Sequence, residues 1–431
     1  MAQDLRLMQG IVHDLDSRKK GIIVMYQNFQ AMANANDSFR YMAQTVNHFV
    51  TEVFKDIESP AMNKFHAIQE QIDLMGLTHK RPAFELDPVT DASGQSLEVR
   101  EELVHQTAFC HLVKFKKDTA AHLPKVLLVA PMSGHFATLL RGTLQVLVQD
   151  HEVYITDWLN IRDIPISMGE FDFDAYTDEI IIALKFLGPQ THLMGICQPT
   201  VACLVATSIL AQDADDCVPI SLTLMAGPID TRINPTAVND LANSKPFEWF
   251  ERNLINVVPG QFAGAGRRVY PGFIQLSAFM NMNLERHQQS FKDLYKFRTD
   301  GMHEKADQIR DFYKEYFAIM DLSGPFYLET IDKVFQTHQL PRGKLTYKGR
   351  LVKPQAIKKT FLTTIEGDRD DICGVGQTLA AHDLCSCIPM YMKTHHLQAG
   401  VGHYGVFSGR KWAGQIYPVI RSIIQSTYLK A

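Results

Sequence analysis

The sequence predicts an α/β fold in which a largely parallel β-sheet carries helices on both faces. Short apolar stretches alternate along the chain with segments of helical periodicity, such as FATLLRGTLQVLV and FDAYTDEIIIALKFL. Strands that alternate with helices in this way are typical of parallel sheets. The predicted strands are 107–115, 125–131, 152–158, 191–196, 220–226, 358–367 and 389–397. Ligands bind such sheets beyond the carboxyl ends of the strands, so we expect a functional site in the loops there.

The composition is that of a soluble globular protein, with 431 residues of which 46% are hydrophobic and 21% are charged. A net charge of -4 gives no basic surface for nucleic acid. No apolar run is long enough to span a bilayer, and the start MAQDLRLMQG lacks the features of a signal peptide. Seven scattered cysteines favour reduced thiols and a cytoplasmic location. Cys385 and Cys387 do not have the spacing of a usual zinc site, and we expect neither a metal nor a cofactor.

The chain is predicted to divide into an N-terminal helical extension, residues 1–80, and a catalytic domain, residues 81–431. The extension has apolar residues at helical spacing, and it either packs on the main domain or docks on a partner or a hydrophobic particle. The stretch KRPAFELDPVTDASGQ has the composition of a linker. From about 228 to 345 a helical, aromatic block separates two predicted strands, and we expect a lid insertion there. Its aromatic residues either line an apolar substrate channel or form the core of the lid itself.

The central motif is Gly195-Ile196-Cys197-Gln198-Pro199, which joins a buried strand to a helix through one sharp turn. α/β-Hydrolases hold their nucleophile on such a turn in the pattern G-x-S-x-G. Here Cys197 stands in the place of the serine and Pro199 in that of the second glycine. Proline is acceptable there because the first helical turn has no use for its N–H. The alternative is a buried cysteine that only fills space. The motif predicts an α/β-hydrolase fold with Cys197 as the nucleophile.

A second loop, APMSGHF at 130–136, follows the second predicted strand. In α/β-hydrolases a loop in this position donates one N–H to the oxyanion hole, and the residue after the nucleophile donates the other. We therefore predict the backbone N–H groups of Met132 and Gln198 as the oxyanion donors. The alternative is an ordinary turn between a strand and a helix. We expect Asp157, at the end of the next strand, to be structural.

The acid and the base are predicted in the chain order nucleophile, acid, histidine. The loop EGDRDDI at 366–372 follows a late strand, and its best candidate is Asp370, with Asp368 and Asp371 as competitors. The loop after the last strand, QAGVGHYG, places His403 between glycines that give its backbone freedom. His395 and His396 are rivals, but they lie within the predicted strand.

Taken together, these motifs closely resemble the intracellular bacterial poly(3-hydroxybutyrate) depolymerases over roughly residues 80–425. The resemblance rests on APMSGHFATLLRGT, ITDW, GICQP, LMAGPIDTRINPTAVN, EGDRDDICGVGQT and GVGHYGVFSGRKW. It implies a cysteine relative of the α/β-hydrolases with Cys197 as nucleophile, Asp370 as acid and His403 as base. It also implies a polyester substrate on cytoplasmic storage granules.

The expected reaction is hydrolysis of the polyester through an acyl thioester on Cys197, which releases 3-hydroxybutyrate units or oligomers. A thioester is a reactive acyl donor, so coenzyme A is a possible acyl acceptor in place of water. One alternative is an acyltransferase that makes polymer from a coenzyme A thioester, although such synthases usually carry G-x-C-x-G. The other alternative is a non-catalytic protein that binds granules through its aromatic lid.

Overall fold

The computed structural model describes residues 21–53, 60–74, 76–90, 94–119, 121–282 and 284–428. The remaining residues of the predicted N-terminal extension lie outside this part. The described residues form two compact units. We call them the sheet unit, within Pro82–Asn160, Ser167–Phe247 and Pro325–Ala431, and the helical unit, within Met1–Arg81, Ile161–Ile166 and Glu248–Gly324. The predicted lid insertion is therefore divided between the two units. Its residues 248–324 belong to the helical unit, and its remaining residues belong to the sheet unit.

The sheet unit is built on a central sheet to which the described residues contribute eight strands. They are β1 Val99–Gln106, β2 Cys110–Lys117, β3 Lys125–Val129, β4 Glu152–Trp158, β5 Thr191–Ile196, β6 Ser221–Met225, β7 Phe361–Gly367 and β8 Lys393–Gln398. Their order across the sheet is β8-β7-β6-β5-β3-β4-β2-β1. β1, β2 and β4 pair antiparallel, and every other neighbouring pair is parallel. The predicted α/β-hydrolase fold with a mostly parallel sheet is confirmed.

The longer helices of this unit follow the parallel strands along the chain, as the alternating pattern predicts. The longer ones are α1 Arg141–Asp150, α2 Phe173–Leu187, α3 Thr200–Gln212 and α4 Tyr417–Tyr428. Shorter helices span Ala237–Ser244, Gly324–Thr330 and Ala381–Leu384. Helix α2 begins at an N-cap, because the side chain of Asp172 accepts a hydrogen bond from the Ala175 N–H.

Helix α3 lies in the core, since every residue from 200 to 210 is buried. Gly195 on β5 permits this packing. A Cβ atom at Gly195 would lie 2.9 Å from Sγ of Cys203 and 3.3 Å from Cα of Thr200. The helix that follows the predicted nucleophile is thus held against its strand by close contact with a residue that has no side chain.

The predicted strands agree with the structure except at one edge. β4 and β5 have the predicted bounds, and the others begin or end within a few residues of them. The predicted stretch 107–115 contains a turn before β2 begins at Cys110. The edge strand β1 was not predicted, because its sequence VREELVHQ is mostly exposed and lacks the apolar alternation of a half-buried strand.

The helical unit contains the described N-terminal helices together with much of the predicted lid. Its helices are Gly21–Val53, Pro60–Leu74, Phe247–Leu254, Gly272–Met282, Leu284–Thr299 and His303–Tyr316. A small sheet is formed by Asn256–Val257, Arg268–Tyr270 and Leu322–Ser323. Aliphatic and aromatic side chains from both parts of the chain form one core, which includes Leu74, Leu276, Leu294, Tyr313, Tyr316 and Phe317.

Polar contacts at Glu70 and Tyr26 tie the N-terminal helices to the rest of the helical unit. Arg298 binds Glu70 at 2.6 Å and also binds Asp307 at 2.8 Å. The buried carboxylate of Asp321 accepts a hydrogen bond from the Tyr26 hydroxyl and one from the Gly272 N–H. A buried carboxylate is stable only when such donors satisfy it, so the Tyr26 helix is anchored at this point. No helix in the described part of the chain is long and apolar enough to cross a membrane.

Replacing Gly195 with alanine should lower the free energy of unfolding by about 1–3 kcal/mol, because the new methyl group would overpack the contact with α3. Urea denaturation measures the effect. Gly414→Ala is the control, since a Cβ there would meet no atom within 4 Å apart from its chain neighbours and the backbone of its own helix. Equal stability of the two variants would contradict the close-contact role of Gly195.

The buried Glu179 on α2 should make stability depend on pH. Burial raises the pKa of Glu179 to about 7 against the opposing hydrogen bond from Thr107, and the charge of Asp178 adds to the rise. In the unfolded chain a glutamate has a pKa of about 4.3. Between these two values the folded state binds more protons, so stability falls as the pH rises through this window.

Glu179→Gln should therefore stabilise the protein above pH 7 by up to about 3 kcal/mol and change little near pH 4. Unfolding midpoints between pH 4 and pH 8 test this expectation. Glu170→Gln is the control, because it removes the same charge from an exposed side chain and should change stability little. A stabilisation by Glu179→Gln that is the same at pH 4 and pH 8 would contradict the assignment.

Candidate active site

Cys197 lies on a sharp turn between β5, which ends at Ile196, and α3, which begins at Thr200. Its backbone has φ +66°, a left-handed conformation that costs about 1–3 kcal/mol for a residue with a side chain. Hydrogen bonds hold the turn in place. The Cys197 N–H donates to the Met225 carbonyl at 2.8 Å, and the Cys197 carbonyl accepts from the Thr200 hydroxyl at 2.9 Å. This is the geometry of a nucleophile elbow.

Pro199 fits the elbow for the reason that the sequence suggested. It immediately precedes the first residue of α3, and its carbonyl accepts a hydrogen bond from the Cys203 N–H at 2.8 Å. The fixed φ of proline suits a helix start, and the missing N–H would have had no partner inside the helix. The second glycine of the serine pattern is therefore not required by the backbone here.

His403 and Asp370 form a buried pair beyond β8 and β7. Nδ1 of His403 lies 3.0 Å from Oδ1 and 2.9 Å from Oδ2 of Asp370. The Asp370 side chain is fully buried, and Oδ1 also accepts the N–H groups of Ile372 at 2.9 Å and Cys373 at 2.8 Å. These bonds fix the carboxylate, which in turn orients the imidazole ring so that Nε2 is the free nitrogen for chemistry.

The imidazole of His403 also interacts with Cys197. Burial alone would lower the pKa of His403, but the charges of Cys197 and Asp370, together with hydrogen bonds to both, raise it well above its ordinary value. The site therefore favours a protonated imidazole between the sulfur atom of Cys197 and the carboxylate of Asp370. A cysteine beside an imidazolium is the arrangement that cysteine nucleophiles require, since the thiolate is the reactive form.

The other carboxylates of the acid loop have different tasks. Oδ1 of Asp368 accepts the N–H groups of Gly400 at 2.6 Å and Val401 at 3.2 Å, so Asp368 supports the loop that carries His403. Asp371 is exposed. The structure thus brings Asp370, and not its two competitors, to the histidine.

The rival histidines are occupied within the sheet. Nδ1 of His395 lies 3.0 Å from the Thr364 hydroxyl, and Nε2 of His396 lies 3.0 Å from Oε1 of Gln398. Both residues are on β8, so their positions follow from strand pairing with β7.

One predicted oxyanion donor, the Met132 N–H, reaches the side chain of Gln198, the residue whose backbone N–H is the other predicted donor. The Met132 N–H donates to the side-chain oxygen of Gln198 at 3.3 Å. The backbone N–H of Gln198 has no acceptor among the described residues. Two hydrogen bonds to β4 fix the start of the Met132 loop. The Ala130 N–H donates to the Thr156 hydroxyl at 3.0 Å, and the Ala130 carbonyl accepts from Nε1 of Trp158 at 2.7 Å. The ITDW motif therefore has a clear part in shaping the site.

Two residues at the site were not singled out by the sequence. Glu366 is buried and accepts the N–H groups of Gly376, Thr378 and Leu379 at 2.8, 2.7 and 3.0 Å, which organises the segment after the acid loop. Tyr176 on α2 is fully buried, and its hydroxyl donates to Oε1 of Gln198 at 3.0 Å. Glu366 stands within the EGDRDD motif, whereas Tyr176 reads as one more apolar position of an amphipathic helix.

Residues 226–428 match the family model described as the C-terminus of PHB de-polymerase. The matched range contains Asp370 and His403 and begins after Cys197. No match was found among the curated proteins.

The chain is also similar to several solved structures. A putative lipase from Acinetobacter baumannii AYE is 14% identical, with 77% of this chain and 93% of that chain covered and a TM-score of 0.40. A thermophilic esterase from Thermogutta terrifontis is 15% identical, with 77% and 99% covered and a TM-score of 0.40. An α/β-hydrolase from Penicillium sp. sh18 is 14% identical, with 78% and 98% covered and a TM-score of 0.43. These structures are too distant to bear on activity.

The geometry predicts that Cys197 is a reactive thiol that depends on His403. Iodoacetamide at pH 7 should alkylate Cys197, and His403→Gln should slow this reaction roughly tenfold or more because the imidazolium partner is lost. Peptide mapping by mass spectrometry measures both. Cys387, an exposed thiol, is the internal control, and its alkylation rate should be the same in both proteins. An unchanged rate at Cys197 in His403→Gln would contradict the pairing.

Proposed function

We propose that this chain, a PHB depolymerase-like α/β-hydrolase, degrades poly(3-hydroxybutyrate) with Cys197 as its nucleophile. The observation that carries the proposal is the constellation of Cys197, His403 and Asp370 on three loops at the carboxyl ends of parallel strands. The order along the chain is nucleophile, acid, histidine, as in α/β-hydrolases. Asp370 is the orienting acid and His403 is the base.

The first half of the reaction forms an acyl thioester. The Cys197 thiolate adds to an ester carbonyl, so that a C–S bond forms and the carbonyl electron pair moves onto oxygen. The N–H groups of Met132 and Gln198 stabilise this oxyanion, and one such donor typically contributes about 3–4 kcal/mol. The ester C–O bond then breaks, and His403 gives its proton to the departing alkoxide.

The second half returns the enzyme to its starting state. His403 takes a proton from a water molecule as the hydroxide adds to the thioester carbonyl. The C–S bond breaks, and the product leaves as a carboxylic acid. Asp370 keeps the imidazole in the tautomer that both proton transfers need.

The substrate assignment rests on the family match and on the motifs that resemble the intracellular depolymerases. The matching family model is described as the C-terminus of PHB de-polymerase, and poly(3-hydroxybutyrate) carries an ester carbonyl in every repeat. The proposed site of action is the surface of storage granules in the cytoplasm. The released products are 3-hydroxybutyrate units or oligomers.

Cys197→Ala should reduce the release of 3-hydroxybutyrate from amorphous poly(3-hydroxybutyrate) granules by about 10³-fold or more, because no acyl thioester can form. Release is measured as free acid by chromatography, with and without coenzyme A. The control variant is Cys387→Ser, which changes an exposed cysteine and should retain the wild-type rate.

Two results would contradict the proposal. Release by Cys197→Ala at more than a few per cent of the wild-type rate would exclude the cysteine mechanism. Release that requires coenzyme A and yields its 3-hydroxybutyryl thioester would replace water by a thiol as the acyl acceptor.

A further inference from the structure

We infer that the Tyr176 hydroxyl is a third donor to the reaction oxyanion, and that the Gln198 side-chain carbonyl occupies the oxyanion position until a substrate oxygen displaces it. The inference rests on the proposed function, since it concerns the same tetrahedral intermediate. It assigns a catalytic role to Tyr176 and a second role to Gln198, beyond its backbone N–H.

The evidence is the convergence of two donors on one oxygen atom. Oε1 of Gln198 accepts the Met132 N–H at 3.3 Å and the Tyr176 hydroxyl at 3.0 Å. Because a backbone N–H can only donate, the amide atom that faces Met132 is the oxygen and not the nitrogen. A carbonyl oxygen of the protein thus lies where a predicted oxyanion donor points. An ester oxyanion at this point would meet the same two donors.

The Tyr176 hydroxyl is suited to this task because it is fixed before the substrate arrives. Its ring is fully buried, with the Trp158 ring at 4.7 Å and the Phe326 ring at 4.8 Å between centroids. Burial raises the pKa of Tyr176 well above its ordinary value, and the charges of Cys203, Cys110 and Cys197 add to the rise, so the hydroxyl keeps its proton. Fixed donors of this kind stabilise developing charge without a cost of reorganisation.

The Gln198 side chain can move out of the proposed oxyanion position. It is only half-buried, on the turn directly after the nucleophile. When it moves, the Tyr176 hydroxyl keeps a second acceptor, the Ala130 carbonyl at 3.5 Å, whereas the Met132 N–H has no other acceptor among the described residues. A buried N–H without a partner is unfavourable, and this favours the entry of another oxygen into the vacated position.

The test compares two reactions of Cys197, of which only one forms an oxyanion. Acylation by p-nitrophenyl butyrate passes through a tetrahedral oxyanion. Its rate is measured as the release of nitrophenolate in a single turnover. Alkylation by iodoacetamide attacks a saturated carbon and forms no such intermediate. Tyr176→Phe should slow acylation about 100-fold and leave the alkylation rate unchanged. Tyr417→Phe is the matched control, because its buried hydroxyl bonds Asp150, and both of its rates should equal those of the wild type.

Gln198→Met is the second variant, since it keeps the length of the side chain and removes the oxygen. It should raise kcat/KM for the same ester by about 2- to 10-fold, because the substrate no longer displaces a hydrogen-bonded carbonyl. This variant keeps the inference testable even if Tyr176→Phe does not fold.

The contrary outcomes are distinct. Wild-type acylation in Tyr176→Phe would overturn the inference. So would equal losses of acylation in Tyr176→Phe and Gln198→Met with no further loss in the double variant, since Gln198 would then be a fixed bridge that positions Met132. The wild-type protein distinguishes failure of this inference from failure of the proposed function. If the proposed function is wrong, Cys197 of the wild type is neither acylated nor needed for hydrolysis.

Discussion

The site depends on the left-handed backbone of Cys197. That conformation is unfavourable for a residue with a side chain, and it persists because the strand before it and the helix after it are both fixed. β5 is paired on both sides, by β3 and β6, and α3 is buried along most of its length. The close approach of α3 to Gly195 completes the restraint. The core of the sheet unit thus stabilises a strained turn, and the turn presents the thiol to the loops around it.

The acid and histidine loops show how carboxylates that are neighbours in sequence come to serve different purposes. Asp370 points inward to His403, while Asp368 points to the backbone of the loop that carries the histidine. Glu366, at the end of β7, binds the backbone of the segment that follows. Each carboxylate accepts hydrogen bonds from backbone N–H groups that would otherwise lack partners. Asp368 and Glu366 therefore stabilise the loops in which Asp370 contacts His403.

Much of this arrangement could be predicted from the sequence, and the limits have physical reasons. The parallel strands are buried and apolar, so their positions are visible in the pattern, and the elbow has local turn chemistry that a short motif records. The sequence favoured Asp370 over Asp368 and Asp371, but it could not decide among them, because the answer depends on the direction of each side chain in a folded loop. The hydrogen bond from the Tyr176 hydroxyl to Gln198 could not be predicted, since an aromatic residue on the buried side of a helix is ordinary core. The joint core of the N-terminal helices and residues 248–324 depends on contacts far apart in the chain, such as that of Arg298 with Glu70.

The edge strand β1 has a consequence for the behaviour of the molecule in concentrated or crowded surroundings. An outermost strand presents unpaired backbone groups to which a strand of another molecule could add. In β1 the exposed positions include Arg100, Glu101 and Glu102, and Lys116 on the adjacent strand pairs with Glu102 at 4.0 Å. Charged side chains at an edge oppose such growth, because a second strand would have to bury or repel them. The same polarity that prevents recognition of β1 from the sequence pattern therefore opposes the addition of a further strand at this edge of the sheet, as the described residues form it.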